Sequence, residues 1–347
     1  MLPIGVAIVN HLNQAGAFHR RETLQRNFSA ALMFGIAYAA SIGGIGTLIG
    51  TPPNIIMAGM AETLIGKSIS FTAWLGVGVP LVIVLLPLAW LYLVRWACPI
   101  WGRSQFSGGE VIRQELAKLG RLSSPERRVA LVFILTALAW LCSEEKNFGA
   151  FLLPGLKNLF PGIGDGSIAI AGAIALFLLP AKGLFGEKLL DWTAAKDIPW
   201  GVLLLFGGGL ALAEGFQQTG LDNWIGQQLS LFQHTPHLLI VLIVTILVIF
   251  LTEVTSNTAT TAMILPVCVS LASGIGMDAL MLIVPATIAA SCTFMLPVGT
   301  PPNALIFASG YVTIPQMARI GVGMNLLGII LITVFSYFVA VPILGIP

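Results

Sequence analysis

Residues Leu251 to Met263 read LTEVTSNTATTAM, and they interrupt apolar sequence on both sides. Leu238–Leu251 is almost wholly Leu, Ile and Val, and Ala259–Ser270 is again largely apolar. Between these runs stand seven polar side chains in nine positions: Thr252, Glu253, Thr255, Ser256, Asn257, Thr258 and Thr260. Irregular backbone at membrane depth survives only when it is buried in protein or lines a wet cavity. The stretch therefore reads as the tip of a helical hairpin, Leu238–Ser273, that dips into a bilayer and turns back. Helix ends at the tip form a polar site.

The rest of the chain fits that reading. Its 347 residues are 56% apolar and only 9% charged, with a mean hydropathy of +0.92, whereas soluble domains are about a quarter charged. The fold class is an all-α polytopic membrane protein. The net charge of +2 is dispersed among loops and gives no reason to expect nucleic acid as a partner. Cys98, Cys142, Cys268 and Cys292 sit in apolar segments without paired spacing and read as buried thiols, not a disulfide or metal site. Trp74, Trp90, Trp96, Trp101 and Trp200 lie near span ends and read as interface anchors.

Two further breaks share one pentapeptide. Gly50–Asn54 and Gly299–Asn303 both read GTPPN, each inside an apolar run. The expected spans are Phe28–Ile49, resuming after the break to Ile65; Phe71–Ala97; one beginning at Val129–Leu141; Ile168–Pro180; Ile198–Phe216; the hairpin; Met281–Val298, resuming to Tyr311; and Ile320–Leu344. The opening Met1-Leu2-Pro3-Ile4 matches the end of the block Met263-Ile264-Leu265-Pro266-Val267 in the hairpin's returning arm. A first hairpin copy cut off just after its tip is the expectation. Counting spans from a cytoplasmic first loop places fourteen of the seventeen Lys and Arg inside, leaving Lys67, Lys146 and Lys157 outside. The repeats are then inverted, with a re-entrant helical hairpin and two broken transmembrane helices.

The breaks suit small ions. Ser256-Asn257-Thr258 can cap the returning arm, whose free N–H groups and partial positive charge favour a carboxylate. The preceding arm ends in free carbonyls, and hard cations take oxygen ligands such as Thr252, Ser256 and Asn257. The plainer reading is a polar helix–helix contact, but seven polar groups exceed what packing needs. In the pentapeptides Thr51 and Thr300 can cap. Pro52 and Pro301 suit the first helical position, and Gly50 and Gly299 permit close backbone approach. Glu253 reads equally as a helper for the cation or as a solvated vestibule group. Gly207–Gly209 reads mainly as tight helix packing. No Arg or Lys lies near the breaks, so a dianion would rest on helix ends, hydroxyls, amides and co-bound cations. Its affinity would then depend on the cation. No His-Glu-x-x-His, Gly-x-Ser-x-Gly or paired intramembrane aspartates suggest an enzyme. A passive channel leaves two inverted cation-like sites unexplained.

With Ser256-Asn257-Thr258 followed by Ala-Thr-Thr, and a Gly-Thr-Pro-Pro-Asn break in each repeat, the chain resembles the divalent anion:sodium symporter family of bacterial and animal dicarboxylate and citrate carriers. The likeness covers essentially the whole chain. It implies sodium-coupled uptake of C4-dicarboxylates such as succinate, malate or fumarate by a homodimeric elevator in the plasma membrane, with sodium co-transported and no organic cofactor. Sodium-independent exchange of the same acids, and sulfate or citrate uptake, are the alternatives. By the family's pattern one sodium site falls on Thr252, Thr255, Asn257 and Gly299. The carboxylates meet Ser256, Asn257, Thr258, Thr300 and Pro301. The other sodium site uses Gly50, with Thr51 and Pro52 near substrate. The family's first Ser-Asn-Thr motif, which would precede Met1, is not in this sequence, so half of the carboxylate site and much of one sodium site are expected to be missing. The implied division is 1–66, the remainder of the first-repeat transport region; 67–128, a spanning helix and cytoplasmic amphipathic connector; 129–236, second-repeat scaffold and arm helices; 237–312, the second-repeat transport region; and 313–347, the last transmembrane helix.

Overall fold

The computed structural model describes residues 1–14, 22–100, 113, 117, 120–147, 152–160, 162–181, 187–196, 200–221, 224 and 235–344. Most of the expected connector within 67–128, together with Arg20, Arg21, Trp101, Arg103, Lys118, Lys182 and Asp222, lies outside these residues. Six stretches are long and apolar enough to cross a membrane: Glu22–Ile45, Phe71–Ala97, Trp192–Phe216, His237–Val254, Asn257–Ile275 and Ile314–Ala340. The chain is an all-α multi-pass membrane protein. The strands among the described residues are one two-residue pair, β1 (Lys146–Asn147) with β2 (Leu152–Leu153).

Two units are distinguished. One comprises Ser70–Thr72 and Ala117–Trp200. Its helix α5 (Ser124–Leu141) begins with a full capping box: Ser123 N–H donates to Glu126 Oε2 at 2.6 Å, and Glu126 N–H donates to Ser123 Oγ at 3.4 Å. Those bonds hold the exposed Glu126 carboxyl below its ordinary pKa. Such a box satisfies two of the N–H groups a helix start leaves free. Helix α7 (Asp165–Leu178) packs on α5. Trp140 stacks on Phe71 with ring centres 5.1 Å apart, and its indole N–H donates to Asp165 O at 2.9 Å. Cys142 at the end of α5 is exposed, contrary to the expectation of a buried thiol; Cys98, Cys268 and Cys292 are buried.

The other unit, Met1–Ile69, Ala73–Leu116 and Gly201–Pro347, carries both pentapeptides and the hairpin. Helices α1 (Leu2–Gln14), α2 (Glu22–Ile45) and α3 (Pro52–Ile65) lead to α4 (Phe71–Tyr92). Later come α9 (Gly201–Thr219), α10 (His237–Val254), α11 (Asn257–Ile275), α12 (Leu280–Ala290), α13 (Pro301–Ala308) and α14 (Ile314–Phe335). The short helix α15 (Val341–Ile343) belongs to this unit, and the short helices α6 (Leu156–Leu159) and α8 (Trp192–Lys196) to the first.

The parts on either side of the breaks match in detail. Helices α4 and α14 are each 22 residues long, and each runs into a five-residue π turn, Leu93–Ala97 and Ser336–Ala340. Each also passes a break at a glycine. A Cβ on Gly78 would lie 2.6 Å from Ile45 O, and one on Gly321 would strike Phe294 O and the Met295 backbone. Without a hydrophobic drive between helices in lipid, such small residues set how closely backbones approach. Gly209 serves the same end on α9, where a Cβ would lie 2.6 Å from Met60 Cε and 2.9 Å from Ala262 O, while Gly207 and Gly208 face open space.

Three boundaries differ from expectation. Helix α2 stops at Ile45, not Ile49. Helix α12 ends at Ala290, so the second break spans ten residues, Ser291–Thr300, where a helix to Val298 is expected. The final helix starts at Ile314 because Thr313 and Gln316 form a capping box. Trp74 is not an interface anchor: it is fully buried, and its indole N–H donates to Ile45 O at 3.0 Å, satisfying a carbonyl at the end of α2. Trp90 and Trp96 are 63% and 71% exposed, as belt residues are.

Candidate functional site

The polar stretch does form a turn between two helices. Helix α10 ends at Val254, Thr255 and Ser256 are extended, and α11 starts at Asn257. Each arm is long enough to cross a membrane by length and composition. Ser256 occupies the N-cap position, yet its side chain makes no cap bond. The first N–H groups of α11 are therefore uncapped and available to an anion.

Thr252 and Asn257 face each other across the turn. Thr252 Oγ1 lies 2.8 Å from Asn257 Oδ1 and 3.1 Å from Ala290 O at the end of α12. Thr293 Oγ1 donates to the same Asn257 Oδ1 at 2.9 Å. Two hydroxyls, an amide oxygen and a main-chain carbonyl thus form one largely buried oxygen cluster, the donor set a hard cation takes. Thr255 looks elsewhere, bonding to Leu251 O and Thr260 Oγ1 within the hairpin. Thr258 is buried and Ser256 exposed.

The two pentapeptides adopt one conformation. Thr51 and Thr300 are the N-caps of α3 and α13, with φ/ψ of −139°/146° and −140°/149°. Neither hydroxyl makes the expected cap bond. Thr51 Oγ1 lies 3.2 Å from Ser291 Oγ, and Thr300 Oγ1 is buried without a partner. The proline pairs occupy the first helical positions. They have no N–H, so α3 and α13 offer dipole and hydroxyl at their starts, and the N–H donors come from α11. A Cβ on Gly50 would run into Gly44 O, and one on Gly299 into Thr293 Cγ2, six residues upstream in each case.

The pentapeptide asparagines fasten each break. Asn303 Nδ2 donates to Leu296 O and Thr293 O, both at 3.1 Å. Asn54 Nδ2 donates to Thr47 O at 2.8 Å, with Gly44 O at 3.5 Å. The acceptors lie seven and ten residues upstream in both copies. These amides satisfy carbonyls that the interrupted helices leave free.

Of the two roles its sequence position suggests, Glu253 does not take the solvated one. It is 3% exposed, so it is no vestibule group. Its Oε1 accepts from Phe294 N (2.8 Å), Met295 N (3.0 Å) and Asn325 Nδ2 (2.8 Å), and its Oε2 accepts from Met295 N and Leu296 N at 3.1 Å. Those N–H groups are the ones that would otherwise continue α12. The carboxyl group takes them and so sets the length of the second break. Tyr38 completes the join: its hydroxyl donates to Phe294 O at 3.0 Å, and its ring meets Phe294 edge-on at 4.8 Å.

Three helix starts therefore converge. The first turn of α11 reaches Thr293 through Asn257, that of α13 reaches Thr293 through Asn303, and that of α3 reaches Ser291 through Thr51. No described hydrogen bond joins Thr51 directly to Ser256–Thr258; its hydroxyl partner is Ser291. Thr293, Ser291, Asn325 and both pentapeptide asparagines are absent from the sequence-based set. Two signals could have found them: Ser291-Cys292-Thr293 interrupts apolar sequence, and Asn325 is the one amide in the apolar run Ile320–Leu344.

Comparison with known proteins matches residues 1–344 to the family described as the sodium:sulfate symporter transmembrane region. A sodium-dependent dicarboxylate transporter SdcS of Staphylococcus saprophyticus is 45% identical over all 347 residues, which cover 66% of that protein. The SdcS of Staphylococcus aureus is 44% identical over 348 aligned positions, covering 100% of this chain and 65% of that protein. The chain thus spans just under two thirds of the length of the curated relatives it matches.

Proposed function

The chain belongs to the sodium:sulfate symporter family, and on that premise we propose that it serves sodium-coupled uptake of C4-dicarboxylates such as succinate, malate and fumarate. This is a family of transporters, not of enzymes. The staphylococcal relatives, named as sodium-dependent dicarboxylate transporters, support the substrate class and the coupling ion. In this reading the protein works in the plasma membrane as a homodimer. The hairpin and broken helices move together against a fixed scaffold, and the repeats are inverted about a re-entrant hairpin.

The observation that carries the proposal is that the starts of α11 and α13 meet at Thr293, beside the oxygen cluster, while that of α3 reaches the nearby Ser291, with no basic side chain among the described residues bonded there. Sodium sits among Thr252, Asn257, Gly299 and the backbone of Thr255, whose hydroxyl is engaged within the hairpin, with a second ion near Gly50. The substrate's carboxylates meet Ser256, Asn257, Thr258, Thr51, Pro52, Thr300 and Pro301. Helix dipoles supply partial charge only, so a dianion binds well when cations are already beside it. That dependence is a coupling free energy, and it acts equally in the other direction.

Succinate uptake into proteoliposomes tests the proposal. Replacing sodium by choline is expected to lower uptake at least about tenfold, a coupling of about 1.4 kcal/mol. Undiminished uptake in choline overturns symport in favour of exchange. Asn257→Ala removes a group shared by the cation cluster and the α11 start, and abolishes coupled uptake. The family's description favours sulfate as a second reading; displacement of labelled succinate by sulfate at equal concentration would support it.

A further inference from the structure

Away from the oxygen cluster, a cavity of about 360 Å³ opens at the end of the Phe71–Ala97 span. Arg26, Asn27, Tyr92, Trp96, Gln316 and Arg319 line it, and among the described residues no acid does. Arg26 also faces an adjoining cavity that contains Glu22. The two arginines come from different helices, α2 and α14. Each stands just before its helix turns apolar, at Phe28 and at Ile320.

The walls are tied to one another. Tyr92 hydroxyl donates to Ile320 O at 2.9 Å, fixing the end of α4 to the first turns of α14. Asn27 Nδ2 donates to Pro99 O at 3.2 Å, fixing the start of α2 to the chain beyond the span. Trp96 is 71% exposed, on the last turn of a 27-residue apolar stretch. At 1.5 Å per residue that stretch is about 40 Å long, so its end lies at headgroup depth. A tryptophan there marks the interface.

We propose that this cavity binds the phosphodiester headgroup of an anionic phospholipid, clasped between Arg26 and Arg319. Guanidinium groups match phosphate oxygens in forked pairs, and two of them compensate a charge that one exposed cation holds weakly. Gln316 adds amide donors. The Trp96 ring and Ile320 offer apolar surface to the glycerol and the first acyl carbons. A free phosphate or a soluble dianion would use the same arginines, but neither would gain from that apolar rim at headgroup depth.

Native mass spectrometry of the detergent-purified protein, titrated with phosphatidylglycerol or phosphatidylcholine, tests this independently of transport. Phosphatidylglycerol is expected to bind at least about tenfold tighter than phosphatidylcholine, and R26Q/R319Q to remove that preference. R26K/R319K keeps the charges and is expected to retain most of it. Equal binding of the two lipids, or an unchanged preference in R26Q/R319Q, overturns the proposal. So does displacement of the lipid by millimolar inorganic phosphate or succinate, which would assign the cavity to a soluble anion. If the glutamine pair does not fold, R319Q alone decides the matter, with an expected loss of about threefold.

Discussion

Replacing Glu253 by glutamine keeps the side chain's length and turns one acceptor oxygen into a donor. The remaining oxygen still accepts from Phe294 N, Met295 N and Asn325 Nδ2, whereas the new amide nitrogen abuts Leu296 N–H. Bonds to a charged group contribute about 1.5–3 kcal/mol net and neutral ones about 0.5–1.5, so three weakened bonds lose about 3 kcal/mol together. The stranded Leu296 N–H adds about 1–3 kcal/mol. A neutral side chain is easier to bury, which offsets part of this. We expect a net destabilisation of about 2–4 kcal/mol for Glu253→Gln, and more for Glu253→Ala, which leaves every donor unpaired. Thermal unfolding of the purified protein, followed by intrinsic fluorescence, reads this out. At about 2 °C per kcal/mol for a chain of this size, Glu253→Gln should melt roughly 4–8 °C lower, with Glu253→Ala lower still. Glu214→Gln, on an exposed glutamate, serves as the control. A Glu253→Ala protein melting within about 1 °C of the parent would refute the role given to this carboxyl group.

Asn303→Ala frees the Thr293 and Leu296 carbonyls, and sodium-dependent succinate uptake is expected to fall by about tenfold or more, a loss of about 1.4 kcal/mol or more. Gly299→Ala drives a methyl group into Thr293 Cγ2 and should abolish uptake; adding Thr293→Ser, which deletes that methyl but keeps the hydroxyl on Asn257, should restore part of it. Of the four cysteines, Cys142 should react first with N-ethylmaleimide in the folded protein, as peptide mass mapping would show. Burial pushes the Cys98 thiol up to about 11, so its labelling at pH 8 should be slow and should accelerate as the pH rises towards that value; rapid labelling at pH 7 would contradict it.

Much of the fold was legible because lipid imposes strict rules. Long apolar runs became helices, and Phe71–Ala97 was placed to the residue. The Ser256 turn and both GTPPN interruptions showed themselves as polar or proline-bearing gaps in those runs. What sequence left open was depth and partner choice. Glu253 sits one position from Thr252, and nothing local says that its carboxyl group must serve Phe294–Leu296, about forty residues onward. Its capture of those N–H groups is also why α12 stops eight residues before Val298. Trp74 follows the same logic: its position near a span end suggested an anchor, whereas the carbonyl it satisfies belongs to a break in another helix. Long-range pairs of buried donors and acceptors have no periodicity, so pattern alone does not reveal them.

The two glycines before the proline pairs meet unlike obstacles. At position 50 the obstacle is main chain, present whatever residue occupies position 44. At position 299 the nearest obstacle is the methyl group of Thr293, which a mutation at 293 can delete, leaving the Thr293 Cβ at 3.1 Å. Drift therefore has a two-step route, with partial recovery, through one interruption and none through the other. In lineages descended from this gene, the earlier glycine should stay fixed, while a change of the later one should be found only together with a change at residue 293.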